Sequence, residues 1–383
     1  MKRRGEGKSR DSDHGTSMKQ NLAGRKSSSK SRTSDSLFAD QSKWFVFKLL
    51  KVMVITAALV YIVIPVFVKT NPWIQNKIIF LNNLRWPPFI DFSDAEAIVH
   101  FPTRNFHLTT DDEIRLGLWH VLPGSLKEAD ISFDKYEALL NDSHPVVLYL
   151  HGNSGTRAGW HRVGLYRVLA EMNFHVIAMD YRGYGDSSGS PSEDGVVSDA
   201  LFVYRWLRQR KGNAPFFIWG HSLGTGVTAK LAKIICRNDE APDGIFLESG
   251  FNNILDAATH HPMASPYKKM PWFHWLFLDT ITENNIHFQS DQSIADVSPP
   301  LLILHAEDDV IVPFHLGVKL YEAAVSTRPD MYGPAEFVPF NASLGYGHKL
   351  IFMAPELPDI IRKFMQLCQE RKQKLLSESK LVT

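Results

Sequence analysis

The chain has 383 residues, 44% of them hydrophobic and 22% charged, with a formal net charge of +1. That length and composition suit one sizeable globular domain with additional segments. The near-neutral balance gives no reason to expect a nucleic-acid partner, and no internal repeat is found.

The charge is unevenly placed. Residues 1–51 carry 13 Lys/Arg against 5 Asp/Glu, with almost no apolar residue before Leu37, so 1–43 is expected to be a disordered basic tail. From Leu49 to Val68 the only charge is Lys51, and 20 helical residues at 1.5 Å each span about 30 Å, one hydrocarbon core. A transmembrane signal-anchor helix is therefore predicted over 44–69, with Trp44 at its entry. A buried core helix is the alternative. A cleaved signal peptide is opposed by the long preceding region and by the lack of a small-x-small site after Val68. Lys43, Lys48, Lys51 and the basic tail lie on one side, and only Lys69, Lys77 and Arg85 lie close on the other. The N-terminus is thus expected in the cytosol and the rest in the lumen or outside. Residues 70–94 form an aromatic-rich connector that either lies along the membrane interface or packs on the domain.

Beyond it, 95–370 alternates strand and helix. The runs 95–101 and 114–123 flank the turn Thr110–Glu113 and read as a β-hairpin. Apolar runs then fall at 146–150, 175–179, 216–220, 245–247, 301–304 and 336–340, with helical patterns such as 163–172 and 196–210 between them. The expected fold is α/β: a mostly parallel sheet covered on both faces. No strand pattern occurs over about 250–298, which is aromatic and reads as a cap inserted over the active site. Residues 371–383 are expected to be a C-terminal tail. Asn141-Asp-Ser143 and Asn341-Ala-Ser343 are N-glycosylation sequons. Cys236 and Cys368 are the two cysteines; a single disulfide and two buried thiols both remain open.

The run Phe216–Gly220 ends in Gly220-His221-Ser222-Leu223-Gly224. A chain of this length carries about 0.1 chance match to G-x-S-x-G, so its context decides. A buried strand precedes it, and Val227, Leu231, Ile234 and Ile235 recur after it at helical spacing. That is the strand–turn–helix setting of a nucleophile elbow, with Gly220 and Gly224 relieving crowding around a strained serine. A serine hydroxyl needs a base, and the base needs a carboxylate, in the chain order Ser, Asp/Glu, His. Asp309, after the strand at 301–304, is the chosen acid, with Asp308 in reserve. His348, in a glycine-flanked loop before the last helix, is the chosen base, while His221, His260 and His261 read as structural or substrate-lining. The backbone N–H groups of Leu223 and of Asn153, in the loop after 146–150, are assigned to an oxyanion hole. Asp180 and Arg182 read as a loop-fixing ion pair. No nucleotide fingerprint follows the Gly152 loop, and neither cofactor nor metal is called for.

The motifs HGNSGTR, DYRGYGDSSG, WGHSLGTGV, LLILHAEDD and LGYGHKLIF resemble the α/β-hydrolase family, with a likeness over about residues 45–370. Within it the chain is most similar to the membrane-anchored lysophosphatidylserine lipases. That resemblance implies a single-pass serine hydrolase of the endoplasmic reticulum with a luminal site. It implies cleavage of lysophosphatidylserine and monoacylglycerols, and Ser222, Asp309 and His348 as its triad. The alternatives are an acyltransferase or thioesterase on the same fold and a non-catalytic lipid-binding relative. An acyltransferase is disfavoured because His348 lacks the His-x4-Asp pattern, and the match at His107–Asp112 lies far from that position. A non-catalytic lipid-binding relative is disfavoured because no triad member is missing.

Overall fold

The computed structural model describes residues 29–85, 87–128 and 131–382, in two units that meet between Ile64 and Pro65. The first unit is helical: α1 spans Ser29–Ala58 and a π-helical turn follows at Leu59–Val63. Residues 29–43, expected to be unstructured, are thus helical, while 1–28 lie outside the described residues. Phe38–Lys69 is long and apolar enough to cross a membrane. Its Leu50, Val52 and Ile55 side chains are exposed, and a helix apolar on every side fits a bilayer rather than water.

The second unit begins its ordered packing earlier than the sequence suggested. Helix α2 (Pro72–Phe80) opens with proline at its first position and buries Gln75 and Phe80. Phe80 belongs to the main core cluster, whereas Trp73 and Phe89 remain exposed. The connector is therefore part of the domain along one face only.

Among the described residues eight strands form one sheet: β1 (Thr103–Thr109), β2 (Arg115–Val121), β3 (Val146–Leu150), β4 (His175–Asp180), β5 (Phe216–His221), β6 (Gly244–Glu248), β7 (Leu301–Ala306) and β8 (Ala335–Phe340). Their order is β1-β2-β4-β3-β5-β6-β7-β8, antiparallel up to the β2–β4 pair and parallel from β4 onward. The first strand is not where the sequence pattern put it. Ala95–Val99 is a helical turn that buries Ala95 and Val99, four residues apart on one face. The strand is the more polar Thr103–Thr109, which pairs only with β2. As an edge strand it can leave Arg104, Asn105 and His107 partly exposed, so it carries no apolar run to read.

The inner strands are buried on both faces, which is why they read as unbroken apolar runs. On β5, Phe216 and Ile218 face one core cluster and Phe217 and Trp219 the other. Helices α4 (Glu193–Arg208) and α5 (Leu223–Arg237) cover the first face. Helices α3 (Trp160–Glu171) and α7 (Leu357–Val382) cover the second, and α6 (Phe314–Thr327) packs near β7 and β8. Each fully buried Leu, Ile or Phe on these faces contributes about 1.5–3 kcal/mol. The start of α4 is set by Ser192, whose side chain accepts the Gly195 N–H, with Glu193 and Asp194 in the first turn where they complement the helix dipole. The last helix runs on through 371–382, so the expected C-terminal tail is helical to Val382.

The segment between β6 and β7 contains no strand. It holds short helices at Ile254–His260 and Asp279–Glu283 and a π-helical turn at His274–Leu278. Phe251, Phe273, Leu278 and Phe288 from this insertion join the same core cluster as Leu223, Val227 and Val312. The insertion therefore sits over the rim where β5 and β7 end.

Candidate active site

Strand register decides which loops meet. Leu150 pairs with Gly220, His221 with Glu248, Glu248 with Leu304, and Ala306 with Phe340. The loops after β3, β5, β7 and β8 therefore leave the sheet along one rim, the usual ligand edge of a parallel sheet.

Ser222 sits between β5 and α5 at φ +53° and ψ −119°, a strained left-handed backbone for a residue other than glycine. The glycines expected to relieve the crowding do so. A Cβ on Gly220 would lie 2.5 Å from the Gly224 carbonyl oxygen, and one on Gly224 would lie 2.0 Å from that of Leu150. Gly152 carries the same constraint from the other side, since its Cβ would meet the Ser222 Cβ at 3.0 Å. The β3 loop, in which Asn153 follows Gly152, thus packs directly against the serine. Leu223 is the first residue of α5, so its N–H has no acceptor within the helix.

The three predicted side chains, far apart in sequence, form one chain of hydrogen bonds. His348 Nε2 is 2.9 Å from Ser222 Oγ, and His348 Nδ1 is 2.7 Å from Asp309 Oδ2. Asp309 is held in turn: its Oδ1 accepts the N–H groups of Ile311 and Val312, both at 2.9 Å. Burial pushes its carboxyl pKa up, but the neighbouring His305 and His348 outweigh burial and hold it well below the usual range. The reserve candidate, Asp308, does not reach the imidazole. It accepts the Gly347 N–H at 3.0 Å and so shapes the loop that presents His348.

Further residues support the relay: His221, expected to be structural or substrate-lining, and others that the sequence pattern does not mark. His221 Nε2–H donates to the His348 carbonyl at 2.9 Å, and burial holds this imidazole well below its ordinary pKa and hence neutral. His305, wholly buried, has Nε2 2.9 Å from the Val312 carbonyl and 3.4 Å from Asp309 Oδ2. The Asn153 side chain donates to the carbonyl of Ile79 in α2. The Tyr184 hydroxyl lies between the Phe80 carbonyl and Asn153 Oδ1, the latter at 3.1 Å. Gly155 N–H donates to Leu84 O at 2.8 Å, and Asn82 Nδ2–H to Gly183 O at 3.0 Å. Segment 72–85 is thereby bonded to the loop beside Ser222. Tyr184→Phe should lower kcat between several-fold and about 100-fold, because small displacements at a reacting centre are that costly. KM should change little, which steady-state kinetics of the full-length variant would check.

Asp180 and Arg182 do not pair with each other. Asp180 receives the buried Arg157 guanidinium at 2.6 Å, and Arg182 bridges Asp199 and Asp112. Both fix loops, as expected, with different partners. Asn141 and Asn341 are exposed, and Cys236 and Cys368 are both free thiols.

Glu248, at the end of β6, is buried with its carboxylate accepting the Trp219 Nε1–H at 2.8 Å. Burial pushes its pKa from 4.5 up to about 7. Between those values the folded protein holds a proton that the unfolded chain has released, so stability falls as pH rises through that window. The loss is on the order of 3 kcal/mol by pH 8. Glu248→Gln should remove this slope. Urea midpoints should show the variant more resistant than the wild type at pH 8, with the advantage gone at pH 5.

The family described as alpha/beta hydrolase fold matches residues 145–245. Lysophosphatidylserine lipase ABHD12 of Danio rerio is 48% identical over 309 residues, covering 80% of this chain and 81% of that protein. Its counterpart in Rattus norvegicus is 44% identical over 366 residues, covering 93% and 91%. Among solved structures, an alpha-beta hydrolase from Vibrio vulnificus, 19% identical, matches with a TM-score of 0.56 over 76% of this chain and 92% of that one, a likeness of fold. Fold, relay and relatives together define a serine hydrolase of the α/β-hydrolase class. Within that class the chain belongs to the ABHD12 family.

Proposed function

We propose that the protein is a single-pass, membrane-anchored serine lipase that cleaves the fatty-acyl ester of lysophosphatidylserine and, as second substrates, of monoacylglycerols. The observation that carries the chemistry is the Ser222–His348–Asp309 relay at the N-terminus of α5. Ser222 Oγ attacks the ester carbonyl while His348 Nε2 takes its proton, and Asp309 holds Nδ1–H and stabilises the imidazolium. The oxyanion is received by the N–H groups of Leu223 and Asn153. His348 then returns the proton to the departing glycerol oxygen. Water, deprotonated by the same imidazole, attacks the acyl-enzyme and frees the fatty acid and Ser222.

The head group is argued from what the ABHD12 relatives are named for. An amphipathic acyl ester also fits the apolar insertion over the rim, which acts in this reading as a cap for the acyl chain. The helix Phe38–Lys69, with the basic residues on its N-terminal side, supports a type II orientation. The catalytic unit then lies in the lumen of the endoplasmic reticulum, where Asn141 and Asn341 carry glycans.

The test is fatty-acid release by the full-length protein in detergent from lysophospholipids differing only in head group, and from monoacylglycerols. Lysophosphatidylserine should turn over fastest, at least tenfold above the choline analogue. Equal rates across head groups would remove the serine-specific assignment and leave a general lipase.

A further inference from the structure

Four side chains outside the active site converge near the N-terminal ends of the central strands. Asp142 Oδ2 is 2.8 Å from His144 Nδ1 and 3.2 Å from His175 Nε2, and one ligand atom from each of the three lies within 4.8 Å of the others. His175 opens β4 and is fully buried, while Asp142 and His144 are partly exposed in the loop before β3. Both imidazoles are held at their far nitrogen as well. His175 Nδ1 is 3.0 Å from Nε2 of His120, a buried residue of β2, and His144 Nε2 is 3.0 Å from Ser125 Oγ.

Two imidazole nitrogens and a carboxylate oxygen within 4.8 Å of one another form a donor set that suits zinc. A second nitrogen on each ring tied to a polar partner is how metal-ligating histidines are oriented. Tetrahedral bonds of about 2.0–2.1 Å separate ligand atoms by roughly 3.4 Å, so the Asp142 contacts need to open by about 0.6 Å to His144 and about 0.2 Å to His175. As a hydrogen-bond cluster alone, the same geometry requires one carboxylate oxygen to accept from both imidazoles.

We propose that Asp142, His144 and His175 bind one zinc ion, with His120 orienting His175 and solvent completing the coordination from the exposed side. The ion ties the loop before β3 to the first residue of β4 and, through His120, to β2. Ser222 follows the opposite, C-terminal end of the parallel strand β5, so the ion is a structural clip rather than part of the hydrolase chemistry. This inference is independent of the proposed substrate.

Full-length protein in detergent, stripped with chelator and dialysed, is titrated with zinc chloride and separately with cobalt chloride. The expected result is one ion per chain by elemental analysis, visible cobalt bands of a low-coordinate nitrogen–oxygen site, and a raised Tm. Hydrolysis of a soluble ester should be unchanged. His144→Ala and Asp142→Asn, at partly exposed positions, should each weaken binding at least tenfold without shifting the Tm of the metal-free protein. His120→Gln should weaken it by roughly 10–100-fold. Absence of stoichiometric uptake, or uptake unchanged in both His144→Ala and Asp142→Asn, overturns the site.

Discussion

Ser222→Ala is expected to lower turnover of an acyl ester by roughly 10⁶-fold and to abolish labelling by a fluorophosphonate probe. No neighbouring group can substitute for the hydroxyl: the side chain 2.9 Å from His348 Nε2 is this serine, and the flanking residues are His221 and Leu223. Residual activity should come from the oxyanion donors and substrate binding alone, about 10³–10⁴ above the reaction in water. The fold should be unaffected, since alanine keeps the Cβ and its backbone strain. Ser222→Gly should go further and stabilise the protein by about 1–3 kcal/mol, because glycine adopts a φ of +53° freely. A probe signal that survives in Ser222→Ala would mean that the labelled nucleophile lies elsewhere.

Asp309→Asn should cost about 10⁴-fold in kcat. The carboxylate fixes which His348 nitrogen carries the proton and stabilises the imidazolium formed when Ser222 gives up its own. An amide can present an N–H to Nδ1 and so favour the wrong tautomer. Asp309 is unusual in also having His305 at 3.4 Å, so the substitution leaves a second buried imidazole without its charge partner and should lower stability as well. Asp308→Asn separates the roles of the adjacent pair. Its carboxylate shapes the loop through Gly347 N–H, and an amide oxygen can accept the same bond, so turnover should stay within several-fold of wild type. A larger loss in Asp308→Asn than in Asp309→Asn would reverse the assignment of the acid.

The residues of the relay were legible because each follows a strand that is itself legible. Buried parallel strands read as apolar runs, and the elbow's glycines are demanded by a close backbone approach that leaves a sequence trace. What was not legible has a common cause. The Asn153 loop is braced by carbonyl groups of Ile79, Phe80 and Leu84, and a backbone oxygen has no residue type to recognise. His221 and His305 are two of 16 histidines, and nothing in their spacing marks one as holding a loop and the other as flanking the acid. The edge strand β1 was missed because half-exposed polar residues satisfy it. The Asp142, His144 and His175 cluster depends on β4 starting beside the loop that precedes β3, which no local spacing announces.

The brace formed by residues 72–85 bears on how the protein can be divided. A fragment cut at residue 95 would keep every strand and all three relay side chains, yet would discard Phe80 from the core and the carbonyl groups that hold Asn153 and Tyr184. Such a fragment should look folded while reacting sluggishly, and restoring the missing 20-odd residues as part of the chain, rather than adding detergent or lipid, is what should recover its speed. For this enzyme the segment that follows the apolar helix is working machinery, so a version lacking that helix has to be severed before Pro72.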